Sequence, residues 1–150
     1  MKEQQLDALL ENINYEISLL SNASAFIKQV FLIYLGLVFT FAKIISDLRS
    51  IQGKTACTLI PFTKGVCGAC ATNLKTYCVP DVHQFPSHIA CDSATNSELV
   101  IPLIIDNSLY GVLDLDSRCF ARFQPDDQEE LEKLALIIIK HLKRIKEETK

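Results

Sequence analysis

The stretch Leu99-Val100-Ile101-Pro102-Leu103-Ile104-Ile105-Asp106-Asn107-Ser108-Leu109-Tyr110-Gly111-Val112-Leu113-Asp114-Leu115 decides the fold. Two apolar, β-prone runs, 99–105 and 109–115, flank the turn formers Asp106-Asn107-Ser108, a pattern that predicts an antiparallel hairpin. Weaker strand candidates lie at 56–60 and 76–79. Further out the pattern turns helical. Leu6, Leu9, Leu10, Ile13, Ile17 and Leu20 recur at three- and four-residue steps, which predicts one N-terminal helix within residues 1–22. At the other end Pro125-Asp126 offers an N-cap, with Glu129 as the acid three residues on. Leu131, Leu134, Ile138, Leu142 and Ile145 form a stripe, and the basic tail 140–146 suits a helix C-terminus, so a second helix is expected over 125–146. Helix, several strands, then helix describes an α+β fold: a central antiparallel β-sheet with N- and C-terminal helices packed against it, one domain over 1–150. No repeat, low-complexity tract or linker interrupts it.

Bulk properties narrow the function classes. The chain has 150 residues, 49% of them hydrophobic, and a formal net charge of -3. That length can bury a core. Lys and Arg gather near the C-terminus and form no broad basic field, so nucleic acid is not an expected partner. The opening Met-Lys-Glu-Gln-Gln lacks the basic-then-apolar pattern of a secretory leader. Val30 to Ala42, the most apolar run, lies between Lys28 and Lys43 and falls short of the roughly 18 residues of a spanning helix, so it reads as core and no membrane is expected. Six cysteines is a high count for this length. In a reducing, cytoplasmic compartment such thiols are catalytic, metal-binding or small buried groups.

Two segments concentrate reactive side chains. One runs Gly53-Lys54-Thr55-Ala56-Cys57-Thr58-Leu59-Ile60-Pro61, then Lys64-Gly65-Val66-Cys67-Gly68. The other runs Asp81-Val82-His83-Gln84-Phe85, then His88-Ile89-Ala90-Cys91-Asp92 and Asn96-Ser97-Glu98. With Gly111-Val112-Leu113-Asp114-Leu115-Asp116-Ser117, they resemble the signature of the free methionine-(R)-sulfoxide reductases, small enzymes built on a GAF-type domain. The resemblance runs from about Gln52 to Leu142, without a gap in the spacing of Cys57, Cys67, Cys91, Glu98, Asp114 and Asp116. It implies reduction of free L-methionine (R)-sulfoxide, with the residue at Cys91 attacking sulfur and those at Cys57 and Cys67 resolving or recycling it, in an order left open. It also implies a thioredoxin-type reductant, a homodimer, no bound cofactor, and acids at Glu98, Asp114 and Asp116 lining the substrate pocket.

Chemistry gives these residue types a reason. A thiolate attacks the sulfoxide sulfur, an acid protonates the departing oxygen, and the cysteine is left as a sulfenic acid. A second thiol condenses with it, and an external dithiol opens the disulfide. Asp114 and Asp116, two apart on a predicted strand, share one face among apolar neighbours. Acids paired in a partly dry site raise each other's pKa, which keeps one protonated as a donor. The ionised one, with Glu98, would hold the substrate's ammonium.

Blander readings stand beside each signal. A lone Cys57 or Cys67 is ordinarily a packing thiol, and Cys70, Cys78 and Cys119 are read as packing or surface groups. Cys67-x-x-Cys70 invites a redox reading, yet no strand-then-helix context is predicted around it. His83, His88, Cys67, Cys70 and Cys91 match no regular zinc module, so no metal is expected; the histidines orient the loop or lower the Cys91 pKa. Asp114 and Asp116 also fit a polar strand end. A GAF module that binds a ligand without catalysis and a cysteine-based redox sensor remain as alternatives.

The chain departs from the family where an Asn-Trp-x-Gly-Phe-Tyr stretch would supply the pocket's aromatic wall. It reads Ile33-Tyr34-Leu35-Gly36-Leu37-Val38-Phe39 and has no tryptophan, which leaves Tyr34 as the candidate wall residue. Pro86-Ser87 also stands where a glycine usually precedes the residue at His88. A shifted reading frame is one hypothesis for the first departure: with permitted codons, Leu37 to Ile45 can spell Gly-Phe-Tyr-Phe-Cys-Lys-Asn-Asn in another frame, and Arg49-Ser50-Ile51 can yield Gly-Pro-Phe. Sequencing the coding DNA checks this, and codons that cannot spell those words rule it out.

Overall fold

The computed structural model describes residues 1–32, 63–89 and 92–149 with their side chains, and residues 36–41, 45–53 and 59–61 as strand backbone. In chain order it forms α1 (Lys2–Leu10), α2 (Glu16–Phe31), β1 (Gly36–Phe41), β2 (Ile45–Gly53), β3 (Leu59–Pro61), α3 (Gly65–Asn73), β4 (Tyr77–Val79), β5 (Ser97–Ile105), β6 (Ser108–Ser117) and α4 (Pro125–Glu148). The sheet order is β3-β2-β1-β6-β5-β4, every neighbouring pair antiparallel. This is the α+β architecture expected from the pattern of elements.

The predicted hairpin sits in the middle of the sheet. Asp106 and Asn107 take φ values of 50° and 61°, and Ile105 pairs with Ser108. A two-residue loop with both φ values positive matches the twist of the flanking strands, and Asp and Asn tolerate that conformation. Alternation then sorts the strands' side chains. Leu99, Ile101, Leu103, Ile105, Leu113 and Leu115 enter the large core built with α1, α2 and α4. Val100 and Val112 face the other way, into a smaller cluster with Val66, Cys67, Cys70, Val79 and Val82. Because helices cover both faces here, β5 reads as a nearly continuous apolar run rather than a clean alternation.

The N-terminal stripe is two helices, not one. Leu6 and Leu10 are buried in α1, and Leu19, Leu20, Ala23, Ile27 and Phe31 in α2, while Leu9 and Ile17 are 42% and 59% exposed. Asn12 and Asn14 lie in the break, and asparagine side chains compete with the helical backbone for hydrogen bonds. Arg144 of α4 then settles the interruption. Its Nη2 donates to the Leu10 and Ile13 carbonyls at 3.4 and 2.8 Å, and its Nη1 to Asn14 Oδ1 at 3.0 Å. Carbonyls at the end of α1 and just beyond it therefore find a donor 134 and 131 residues away.

Two other elements differ from expectation. The α4 N-cap is Gln124, one residue before Pro125, and its backbone N–H donates to Asp127 Oδ2 at 2.9 Å. Proline fits the first helical position because its missing donor is not needed there, which moves the cap back from Asp126. Helix α3 was not predicted, since Gly65-Val66-Cys67-Gly68-Ala69-Cys70-Ala71-Thr72-Asn73 carries no periodic large side chains. It follows β3, so a strand does precede the Cys67-x-x-Cys70 helix. Gly65 begins the helix at φ 70°, where an L side chain is strained, and donates to the Ser87 carbonyl at 2.9 Å. Among the described residues, no helix is long and apolar enough to cross a membrane.

Leu113 is fully buried at the centre of the large core. Leu113→Ala is expected to cost about 2–5 kcal/mol, read as a lowered urea midpoint with an unchanged slope. A loss below about 1 kcal/mol would show that this core is not where stability resides.

Candidate active site

The hairpin register places Glu98 opposite Asp116 and Val100 opposite Asp114. With side chains alternating, Glu98, Asp114 and Asp116 all emerge on the face away from the leucine core. Helix α3 lies across that same face, held by the contacts of Val66 and Cys70 with Val100 and Val112. Small residues permit a close approach, and Cys67 is thereby set against the acids. Its thiol donates to Asp114 Oδ2 at 3.2 Å and more weakly to Glu98 Oε1 at 3.9 Å. Cys67 is 6% exposed, Glu98 7% and Asp114 8%, while Asp116 is partly buried.

Burial without a cation sets the electrostatics. Desolvation, then the neighbouring charges of Asp114 and Asp116, pushes Glu98 well above the usual carboxylate range. The same two causes, burial and Asp114, raise Asp116, against a hydrogen bond from Thr95. Asp114 is raised by burial to about 6, held lower than its neighbours by hydrogen bonds from Cys67 and Glu98. The Cys67 thiol is pushed well up by burial, Asp114 and Glu98, which keeps it protonated. Burial thus favours the protonated form of every one of these groups, and Asp114, at about 6, is raised least among the three acids. Asp114 Oδ1 is buried and has no hydrogen-bond partner among the described residues. A buried acceptor left without a donor costs about 1–3 kcal/mol, so this oxygen is a place where a ligand's donor gains most.

These groups line a cavity of about 30 Å³, together with Gly65, His88, Ile89, Asp92 and Thr95. Of the residues expected from sequence, Cys67, Glu98, Asp114 and Asp116 meet there, while Cys57, Cys91 and Tyr34 lie outside the described residues. Ile89 and Asp92, which bracket the Cys91 position closely, both line the cavity. His88 lines it too, its pKa lowered by burial and by His83. His83 is exposed and holds Asn96 Oδ1 at 2.9 Å, so it steadies the loop before β5. Thr95 and Asp92 were not singled out from sequence. Asp92 Oδ1 accepts the Ala94 N–H at 2.9 Å, a turn whose only sign in the chain is Asp-Ser-Ala-Thr.

Elsewhere, Cys70 is buried and donates to the Val100 carbonyl at 3.7 Å, whereas Cys78 and Cys119 are exposed. The donor atoms of Cys67, Glu98 and Asp114 lie within 4.8 Å of one another and could hold a metal ion. That trio differs from the histidine and cysteine set weighed from sequence.

The GAF domain profile matches residues 5–142. The free methionine-R-sulfoxide reductase of Escherichia coli is 47% identical over 87 residues, 58% of this chain and 53% of that protein. The reductase of the same name from Saccharomyces cerevisiae is 49% identical over 94 residues, 62% of this chain and 52% of that protein. The matched stretch thus spans about half the length of these two curated relatives. Among solved structures, the free methionine-R-sulfoxide reductase of Neisseria meningitidis in complex with its substrate superposes with a TM-score of 0.93 at 34% identity, covering 97% of this chain and 88% of that one.

The raised carboxyls predict a pH dependence of stability. Asp114 moves from 3.8 to about 6 on folding, so the native state keeps a proton that the unfolded chain has released between those values. The stability it contributes is complete below 3.8 and is lost as pH rises through 6. Asp114→Asn is expected to remove that part of the decline and to exceed the wild type in stability at neutral pH, as urea midpoints between about pH 4 and 7 would show. An identical slope in variant and wild type would refute the assignment.

Proposed function

The chain belongs to the GAF domain family, and from that premise we propose that it reduces free L-methionine (R)-sulfoxide to L-methionine. The observation that carries this reading is the Cys67 thiol at 3.2 Å from a carboxylate inside a buried, three-acid cavity. A thiol supplies the reducing equivalents, and acids supply the proton and the ammonium site.

In this reading the Cys91 thiolate attacks the sulfoxide sulfur. The S–O bond breaks, methionine leaves as the thioether, and Cys91 keeps the oxygen as a sulfenic acid. Cys67 or Cys57 then attacks that sulfur, water departs, and a disulfide remains; an external dithiol of the thioredoxin class reduces it and becomes oxidised in turn. Cys67 is held protonated by burial and by two carboxylates. That suits a thiol waiting to be consumed by a sulfenic acid better than one that attacks first.

The acids divide their work by environment. Glu98 and Asp116, both raised well above the usual range, retain protons for the departing oxygen. Asp114, at about 6, is largely ionised at neutral pH and takes the substrate ammonium on Oδ1, which has no partner among the described residues. A cavity of about 30 Å³ accepts an ammonium group rather than a whole amino acid, so the remainder of the substrate extends through its mouth. An ammonium requirement favours the free amino acid over a residue within a protein chain, whose nitrogen is an amide. The reading places the enzyme in the cytoplasm as a homodimer, with Tyr34 at the sulfoxide's side.

The test supplies pure protein with racemic free methionine sulfoxide and dithiothreitol. Half the sulfoxide should become methionine, the (S) form should persist, and Cys91→Ser should abolish the reaction. Asp114→Asn should lower kcat/KM roughly 10- to 150-fold, the range for losing a hydrogen bond to a charged group. Full activity in Cys91→Ser, or no methionine from the wild type, ends this reading.

A further inference from the structure

Three donor atoms converge on the cavity floor: the Cys67 sulfur and one oxygen each from Glu98 and Asp114, all within 4.8 Å of one another. Around tetrahedral zinc, a sulfur at about 2.3 Å and an oxygen at about 2.1 Å stand about 3.6 Å apart. The Cys67 Sγ–Asp114 Oδ2 distance of 3.2 Å and the Cys67 Sγ–Glu98 Oε1 distance of 3.9 Å bracket that span. The two carboxylate oxygens lie within 4.8 Å of each other.

A second observation is independent of this spacing. Asp114 Oδ1 is buried and has no hydrogen-bond partner among the described residues, on a side chain only 8% exposed that lines the cavity. The described lining residues include no lysine or arginine to answer it. The cavity, about 30 Å³, has room for one ion with one water.

We propose that the reduced cavity floor binds one thiophilic divalent cation of the zinc class through Cys67, Glu98 and Asp114, with a fourth position left open. The ion takes the place of the proton that the thiol donates to Asp114. A single thiolate among carboxylates selects zinc or cadmium over magnesium and calcium, which are hard cations that ask for six or more oxygens. Resting on the reductase reading, the same ion occupies the ammonium position and ties up a resolving sulfur, so it inhibits the reduced enzyme.

The experiment titrates zinc into fully reduced, metal-free protein against a chromophoric chelator, with no sulfoxide present. One zinc per chain is expected. Glu98→Gln and Cys67→Ser should each weaken it at least tenfold, and Cys119→Ser, which removes an exposed thiol, should leave it unchanged. Cadmium should give a thiolate charge-transfer absorption that Cys67→Ser loses; Glu98→Gln retains the thiol and tests the carboxylate if the serine variant does not fold. Sub-stoichiometric binding, or equal affinity in wild type and Glu98→Gln, overturns the site. Methionine formation measured in chelator separates the two readings. Active protein that binds no zinc ends the metal site alone, and zinc binding by inactive protein ends the reductase reading alone.

Discussion

A slip of one residue between β5 and β6 would send Glu98, Asp114 and Asp116 into the leucine core and drive Leu99, Leu113 and Leu115 out of it, because side chains alternate across a sheet. The register that prevents this comes from the two-residue turn at Asp106-Asn107 together with a shift between Leu103 and Ile104, where the pairing passes from Leu109 to Gly111; the turn's own pairing of Ile105 with Ser108, carried on unshifted, would set Glu98 opposite Leu115. On one side of the hairpin that register assembles the large core with α1, α2 and α4; on the other it presents the acids to α3. Core and site are thus two outcomes of one pairing. The salt bridge from Lys143 of α4 to Asp106, at 2.9 Å, ties the turn to the helical layer, though an exposed pair of this kind adds little energy.

The site is assembled against its own electrostatics. A thiol and three carboxyl groups share a poorly solvated space whose described lining residues include no lysine or arginine, and burial raises the proton affinity of all four. The rest of the fold must hold them there, and it does so with apolar contacts that have no stake in the acids: Val66 and Cys70 against Val100 and Val112. Such a pocket is poised for a cationic group, which gains a partner for Asp114 Oδ1 and relieves the mutual repulsion. The cost in stability and the capacity to bind share one cause.

Much of this was legible in the chain. The hairpin announced itself through β-prone runs around a turn cluster, and α4 through a long stripe with acidic start and basic end. Asp114 and Asp116 could be placed on one face from their spacing alone. What failed to show was whatever depended on a distant partner. The stripe from Leu6 to Leu20 has helical spacing throughout, yet the chain breaks between α1 and α2, where Arg144 meets the Leu10 and Ile13 carbonyls. Helix α3 has no apolar period because its residues are small enough to bury on more than one side, and Thr95 and Asp92 carry no signature beyond a short polar turn.

By itself the sequence determined the secondary structure of the hairpin and of α4, the inventory of thiols and acids, and the family to which their spacing belongs, because local periodicity and motif spacing are properties of neighbours along the chain. Tertiary structure alone decided that the Cys67 thiol comes within 3.2 Å of Asp114 Oδ2, and that among the described residues Asp114 keeps one oxygen unanswered. Those outcomes turn on the pose of a featureless helix over a sheet, and packing between elements distant in sequence leaves no local pattern to read.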